Sequence, residues 1–222
     1  MAHPPLQVTD RPPKQARSEE TRSRLLEAAE ALILEKGIGE VAISEIVRRA
    51  GSSVGGFYAR FRDKAELLRA LEERFLADVS ARLGALADAG RWGDAPLVQV
   101  VDACVAELVQ VSSERRNLIA AFLLRAAENA TIWDDGLRFM QDAEARIGAL
   151  VRGRTAELSH PDPEIAVHLG VQFAFGLVLQ RVLTGDVRAA GRRLTDAELQ
   201  REISRNFLAY LGVQTPRSET TP

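Results

Sequence analysis

Between positions 48 and 64 the chain places five cationic side chains, Arg48, Arg49, Arg60, Arg62 and Lys64, against the single carboxylate of Asp63, a local net charge of +4. Clustered guanidinium and ammonium groups suit phosphate oxygens, and such contacts supply most of the sequence-independent affinity of a protein for DNA. Residue sets suited to catalysis are poor by comparison. There are three histidines (His3, His160, His168), one cysteine, no glycine-rich phosphate loop behind a strand and no cluster with metal-ligand spacing. That points away from an enzyme and from a bound cofactor.

The basic residues are carried by a pattern of short helices. Ile46, Val47 and Ala50 recur at helical spacing, and Gly51 offers the left-handed backbone that ends a helix at low steric cost. Ser52 or Ser53 is placed to cap a second helix over residues 54–61, with Phe57 and Phe61 on one side. Two short helices joined by a tight Gly-Ser turn form a helix-turn-helix, whose second helix fits a major groove. A helical hairpin that only packs, or that docks another protein, is the competing reading. Ahead of the pair, residues 18–36 should be helical, with Ser18 as N-cap and Leu25, Ala29, Leu32 and Ile33 as the buried stripe. Behind it Asp63 can cap a long helix over residues 64–86.

The run Ala50-Gly51, Ser53, Gly55, Phe57-Tyr58, Phe61, Lys64 and Glu66-Leu67-Leu68 resembles the DNA-binding signature of the TetR/AcrR family of bacterial transcriptional regulators. The likeness extends over residues 17–71. It implies that Tyr58 and Lys64 hold DNA phosphates, and that the first helix adds contacts at Thr21 or Arg22. Three positions depart from the family's pattern. Ala42 stands where a capping threonine is usual, leaving Ser44 as a substitute cap among the DNA-facing positions. Ser52 replaces an apolar residue, and Gly56 follows Gly55 inside the recognition helix. Paired glycines weaken a helix by roughly 1 kcal/mol each relative to alanine, but let backbone approach DNA closely. The second helix is therefore expected to order mainly on DNA, with base reading at Ser52, Ser53, Val54 and Phe57.

Composition sets the frame around this stretch. With 222 residues, 46% hydrophobic and 27% charged, the chain has the profile of a folded soluble protein, and its Ala, Leu, Glu and Arg bias predicts an all-α fold. Net charge is only −2, with residues 1–64 at net +2 and the rest at net −4, so DNA affinity must come from local contacts and dimerisation. Cys104 has no disulfide partner, no apolar run is read as approaching a membrane span, and the N-terminus lacks the apolar region of a signal peptide, so cytoplasm is expected. Residues 1–15 hold four of the nine prolines and read as a disordered arm, made basic with Arg11, Lys14 and Arg17, that could lie against phosphates or in a minor groove. The expected domains are residues 16–64 for DNA binding and 65–214 for effector binding and dimerisation, then a flexible tail at 215–222.

Beyond the long helix, helical segments are expected at residues 94–111, 113–129, 132–158, 163–184 and 195–212. Asp94, Asp162 and the Thr195–Glu198 capping box mark three of their starts. The helix over 163–184 is apolar nearly all round and must be buried on more than one side. Its small residues Ala166, Gly170 and Ala174, spaced by four, permit close helix approach. Family likeness implies that the last two helices pair with their copies in a homodimer. The interface candidates are Ala166, Gly170, Ala174, Val178, Val182, Ile203, Phe207 and Tyr210. It also implies a pocket for an unknown small-molecule effector, for which Phe122, Arg125, Trp133, Phe139, Met140, His168, Gln172 and Phe173 are candidates. His168, Gln172, Gly176 and Gln180 form a polar or small stripe that could line a cavity or face the partner. The mechanism implied is release from a palindromic DNA operator when the effector shifts the helix that begins at Lys64.

Overall fold

Leu25, Ala29, Leu32 and Ile33 are buried along one side of a first helix, α1 (Lys14–Lys36), as their spacing requires. The computed structural model describes residues 14–127 and 129–213; apart from Lys14 and Gln15, which are helical, the expected arm and the tail lie outside the described residues. Because α1 begins at Lys14, Ser18 sits inside the helix and does not cap it. The chain divides into two compact units, Met1–Leu71 and Glu72–Pro222.

In the first unit α1 is followed by α2 (Ile43–Arg49), α3 (Val54–Tyr58) and the start of α4 (Lys64–Leu86). Gly51, at φ +59°, closes α2 in the double hydrogen-bonded turn that follows many helices. The Ser52 N–H reaches the Val47 carbonyl at 2.9 Å and the Gly51 N–H the Arg48 carbonyl at 3.3 Å. Asp63 caps α4 as expected, its Oδ1 accepting the Glu66 N–H at 2.8 Å. Ser44 does not cap α2: Ala42 holds that place, and the Glu45 carboxylate takes the Ala42 N–H at 3.1 Å. The core between these helices is Leu25, Ile33, Ile46, Phe57, Phe61, Leu67 and Leu71, each almost wholly buried.

The second unit contains the rest of α4, a four-residue α5 (Ala89–Trp92), α6 (Leu97–Glu114), α7 (Arg116–Ala126), α8 (Ala130–Arg152), α9 (Pro163–Thr184) and α10 (Asp196–Leu211). Its core is built by α6, α8, α9 and α10 around Val100, Val105, Leu150, Val171, Ile203, Phe207 and Leu211. Three expected boundaries move. Asp94 does not start α6; the first free N–H, of Leu97, is instead accepted by Glu157 at 2.9 Å. Ser113 stays inside α6, where its hydroxyl joins Arg181 and Asp196. α8 stops at Arg152 and not at residue 158. A two-residue antiparallel hairpin, β1 (Arg188–Ala189) and β2 (Arg192–Arg193), was not foreseen. Its turn at Ala190 and Gly191, both at positive φ, is of the type that two-residue hairpins favour. Two starts fall where expected: Asp162 accepts the Ile165 N–H at 3.1 Å ahead of Pro163, and Thr195 and Glu198 bond reciprocally.

α9 corrects one further expectation. By length and composition alone its 22 residues could cross a membrane, contrary to the reading that no apolar run comes near that length. In the fold it is a core helix on one side: Ala166, Val167, Gly170, Val171, Ala174, Val178 and Val182 are buried against neighbours of the same unit. It is not buried on more than one side, since Ile165, Phe173, Leu179 and Leu183 are exposed.

Candidate nucleic-acid interface

α3 is a single helical turn and a half, shorter than the expected 54–61. Its Ser53 cap accepts the Gly56 N–H at 3.0 Å. The Arg60 guanidinium then binds the helix from below, donating to the Gly56 carbonyl at 2.9 Å and to the Ser18 carbonyl of α1 at 3.0 Å. Phe57 is 0% exposed and packs on Phe61, with ring centroids 5.6 Å apart. These three anchors offset part of the weakness of the glycine pair. They also remove Phe57 from base reading, because a ring with no exposed surface cannot reach a groove.

What α3 presents outward is Ser53, Val54, Gly55 and Tyr58, with Ser52 and Gly56 half-buried behind them. Tyr58 is 55% exposed, its ring set edge-on against Phe57 at 5.3 Å, which aims a rigid phenol at the surface. Ser44 is exposed on α2, and Thr21 and Arg22 are half-buried on α1. The Thr21 hydroxyl donates to the Arg17 carbonyl at 2.9 Å, and Arg22 lies over the Phe61 ring at 5.7 Å. Arg17 is exposed one turn earlier.

The five basic residues do different jobs. Lys64 Nζ donates to the carbonyls of Ile38 and Val41, at 2.9 and 2.6 Å, and burial holds its ammonium below its ordinary pKa. It ties the start of α4 to the turn between α1 and α2, a positioning role beside the expected phosphate contact, for which the half-buried ammonium keeps a third N–H donor. Arg60 is spent in the same manner. Arg49 pairs with Glu35 at 2.7 Å and Arg62 with Glu66 at 3.1 Å, but both pairs are at the surface and exchange readily for phosphate. Arg48 is exposed and makes no ion pair among the described residues. The sequence reading counted Arg48 as charge without assigning it to the site, and it missed the strut formed by Arg60, for which no local pattern exists. Lys36 and Glu45 brace the base of the pair at 2.8 Å; the Lys36 hydrogen bond, then that of the Ala42 N–H, holds the Glu45 carboxyl below its ordinary value.

The second unit redistributes the remaining candidates. Ala166, Gly170, Ala174, Val178, Val182, Ile203 and Phe207 belong to the core of one subunit and so are not interface residues. A Cβ added at Gly170 would overlap the Phe207 ring, so the small stripe serves the chain's own α10. Tyr210 stays at the edge, half-buried, with Phe173 6.5 Å from its ring. The outward face of α9 carries Ile165, His168, Gln172, Phe173, Gly176, Leu179, Gln180 and Leu183. Trp133 on α8 and His168, Gln172 and Phe173 on α9 are exposed. Phe122 is buried against Phe75 at 5.6 Å, and beside it Arg125 pairs with the buried Glu72 at 3.7 Å. Phe139 and Met140 are half-buried on α8, with Phe139 6.2 Å from Phe175. A groove of about 340 Å³ between α8 and α9 is bordered by Glu144, Gly148, Arg152, Val167 and His168; of the pocket candidates it includes His168 alone.

Comparison with known proteins bears on both units. Residues 25–71 match the family described as "Bacterial regulatory proteins, tetR family". An uncharacterized HTH-type transcriptional regulator of Bacillus subtilis (strain 168), YvdT, is 31% identical over 97 residues, 43% of this chain and 47% of that protein. The chain thus spans about half the length of that curated relative. Among solved structures, a transcriptional regulator from Rhodococcus sp. Rha1 superposes with a TM-score of 0.68 at 21% identity, over 88% of this chain and 99% of that one. RolR in complex with resorcinol superposes with a TM-score of 0.55 at 23% identity, over 90% and 92% of the two chains. These structural likenesses extend the shared fold across both units.

Proposed function

We propose that the chain, whose residues 25–71 match the tetR family of bacterial regulatory proteins, is a member of that family and a homodimeric, ligand-responsive repressor that acts in the cytoplasm. It leaves a palindromic DNA operator when a small molecule binds the Glu72–Pro222 unit. The observation that carries this reading is the outward set of α3, with Tyr58 and Val54 exposed on a buried Phe57–Phe61 platform. Tyr58, Arg48 and the exchangeable Arg49 and Arg62 take phosphates, α3 enters the major groove, and Arg60 and Lys64 keep the pair in shape.

Dimerisation is supported by the exposed face of α9. Phe173 at 56% and Leu183 at 58% exposure, with Ile165 and Leu179, form an apolar stripe of the kind that marks a protein–protein contact. A second copy covers it in an isologous interface, and two α3 helices then meet half-sites about 34–36 Å apart. For the effector, the aromatic pair Phe75–Phe122 beside the Glu72–Arg125 ion pair supports a small, partly aromatic molecule; the neighbour RolR is described with resorcinol. Glu72 lies on α4, the helix that starts in the first unit, so a ligand drawing Arg125 away acts on that helix. A coupling of about 1–3 kcal/mol is enough for regulation.

Selection of duplexes from a random pool by the full-length protein tests the reading. An enriched inverted repeat, bound by two chains, is the expected result. Enrichment of nothing would favour a helical module that binds another protein.

A further inference from the structure

No residue from 52 to 58 carries the amide, guanidinium or carboxylate fork that reads a base edge through paired hydrogen bonds. The Ser53 hydroxyl is engaged by the Gly56 N–H, and a hydroxyl donates and accepts alike, so it separates the bases poorly. Tyr58 stands at the far end of α3, where the reading above gives it a phosphate. Val54 remains. It is the first helical residue and is 51% exposed, outside the buried core of the described residues. On the major-groove edges of the bases, the apolar feature is the thymine 5-methyl group.

The two glycines beside it differ in what they are for. A Cβ at Gly56 would lie 2.7 Å from Ser52 Oγ and 3.2 Å from Ser53 Oγ, so the fold itself needs that position bare. At Gly55 the nearest atom would be Ser53 Oγ at 3.9 Å, an ordinary contact. Gly55 does not adopt the positive φ that would call for glycine. Alanine there would strengthen the helix at no steric cost to the free protein. The fold gains nothing from Gly55, yet its bareness leaves a flat, close-approach surface next to the Val54 methyls.

We propose that sequence discrimination by α3 rests on apolar contact between Val54 and a thymine 5-methyl group, with Gly55 left bare so that the helix backbone can close on the base edges. The inference rests on the DNA-binding reading and assigns the chemistry of its target. The test uses the full-length protein and the duplex selected above, with binding followed by fluorescence anisotropy at fixed salt. Each thymine is replaced in turn by uracil, which removes the 5-methyl alone.

At one position per half-site, uracil should weaken binding by about fourfold, the worth of one buried methyl. V54A should weaken the thymine duplex to a similar degree and become indifferent to uracil at that position. G55A should melt no lower than the parent protein, yet lose about tenfold or more in operator affinity through steric crowding. Uracil duplexes that all bind as tightly as the thymine duplex, or unchanged affinity in G55A, overturn the inference while leaving DNA binding in place. A pool in which no sequence is enriched strikes the DNA-binding reading itself, and this inference with it.

Discussion

Val54 is the exposed aliphatic side chain of α3, flanked by a serine and two glycines, whereas α9 turns Ile165, Phe173, Leu179 and Leu183 outward over about five turns. Both are apolar side chains left in water, but the partners they suit differ. A single branched side chain beside bare glycines fits a groove in which one methyl is the target and close approach matters more than area. A long stripe of large side chains gains only by covering area, and its complement is another helical protein surface. The rear faces match this division. α3 rests on Phe57 and is tied by Arg60, while α9 seats a small-residue stripe against Phe207.

The largest effect expected is on the α9 face. F173E with L183E should raise the dissociation constant of the proposed dimer steeply, since each side chain is worth about 1.5–3 kcal/mol when buried. Helicity of the separated subunits should be retained, as both positions are exposed in one chain. Sedimentation equilibrium decides it, and a monomeric parent protein would end the comparison. The rear of the same helix should respond in the opposite manner. G170A forces a methyl into the Phe207 ring and should cost about 1–3 kcal/mol of subunit stability, read by thermal unfolding, with the dimer contacts untouched.

In the first unit, K64M removes two hydrogen bonds to the Ile38 and Val41 carbonyls. It should cost about 1–3 kcal/mol of stability, whereas a phosphate ligand would lower the salt dependence of binding and spare the fold. Y58F should weaken all duplexes alike by about 1 kcal/mol, in contrast to the sequence-dependent loss expected of V54A. The smallest effect is a titration at the start of α10. The Arg192 hydrogen bond, then that of the Thr195 N–H, holds the Glu198 carboxyl at about 2, against an ordinary value of 4.5. A depressed carboxylate stabilises above its unfolded pKa, and that stabilisation drains away as pH falls from about 4.5 towards 2. Amide exchange at the start of α10 should quicken across that window, and E198Q should flatten the response.

Much of the first unit was legible in residue order because its signals are local. Gly51, Asp63 and the Leu25, Ala29, Leu32 and Ile33 stripe act within a turn or two of chain, and the structure uses each as read. Phe57 was misassigned because helical spacing says which residues share a face without saying which face meets the core. In the second unit the small-residue stripe of α9 was recognised, but its partner was taken for a second subunit when it is the chain's own Phe207.

Local chemistry in the amino-acid order determined an all-α chain, its helix-turn-helix, the caps at Asp63, Asp162 and Thr195, and the stripe that buries α1. Tertiary structure alone decided where long side chains spend their charges and which side of an apolar helix stays wet. Glu157 capping α6 from 60 residues away, Arg60 reaching Ser18, and Lys64 bonding Ile38 and Val41 are contacts between segments distant in the chain. Hydrogen bonds and packing of that kind depend on position in space, and spacing along the chain carries no record of it.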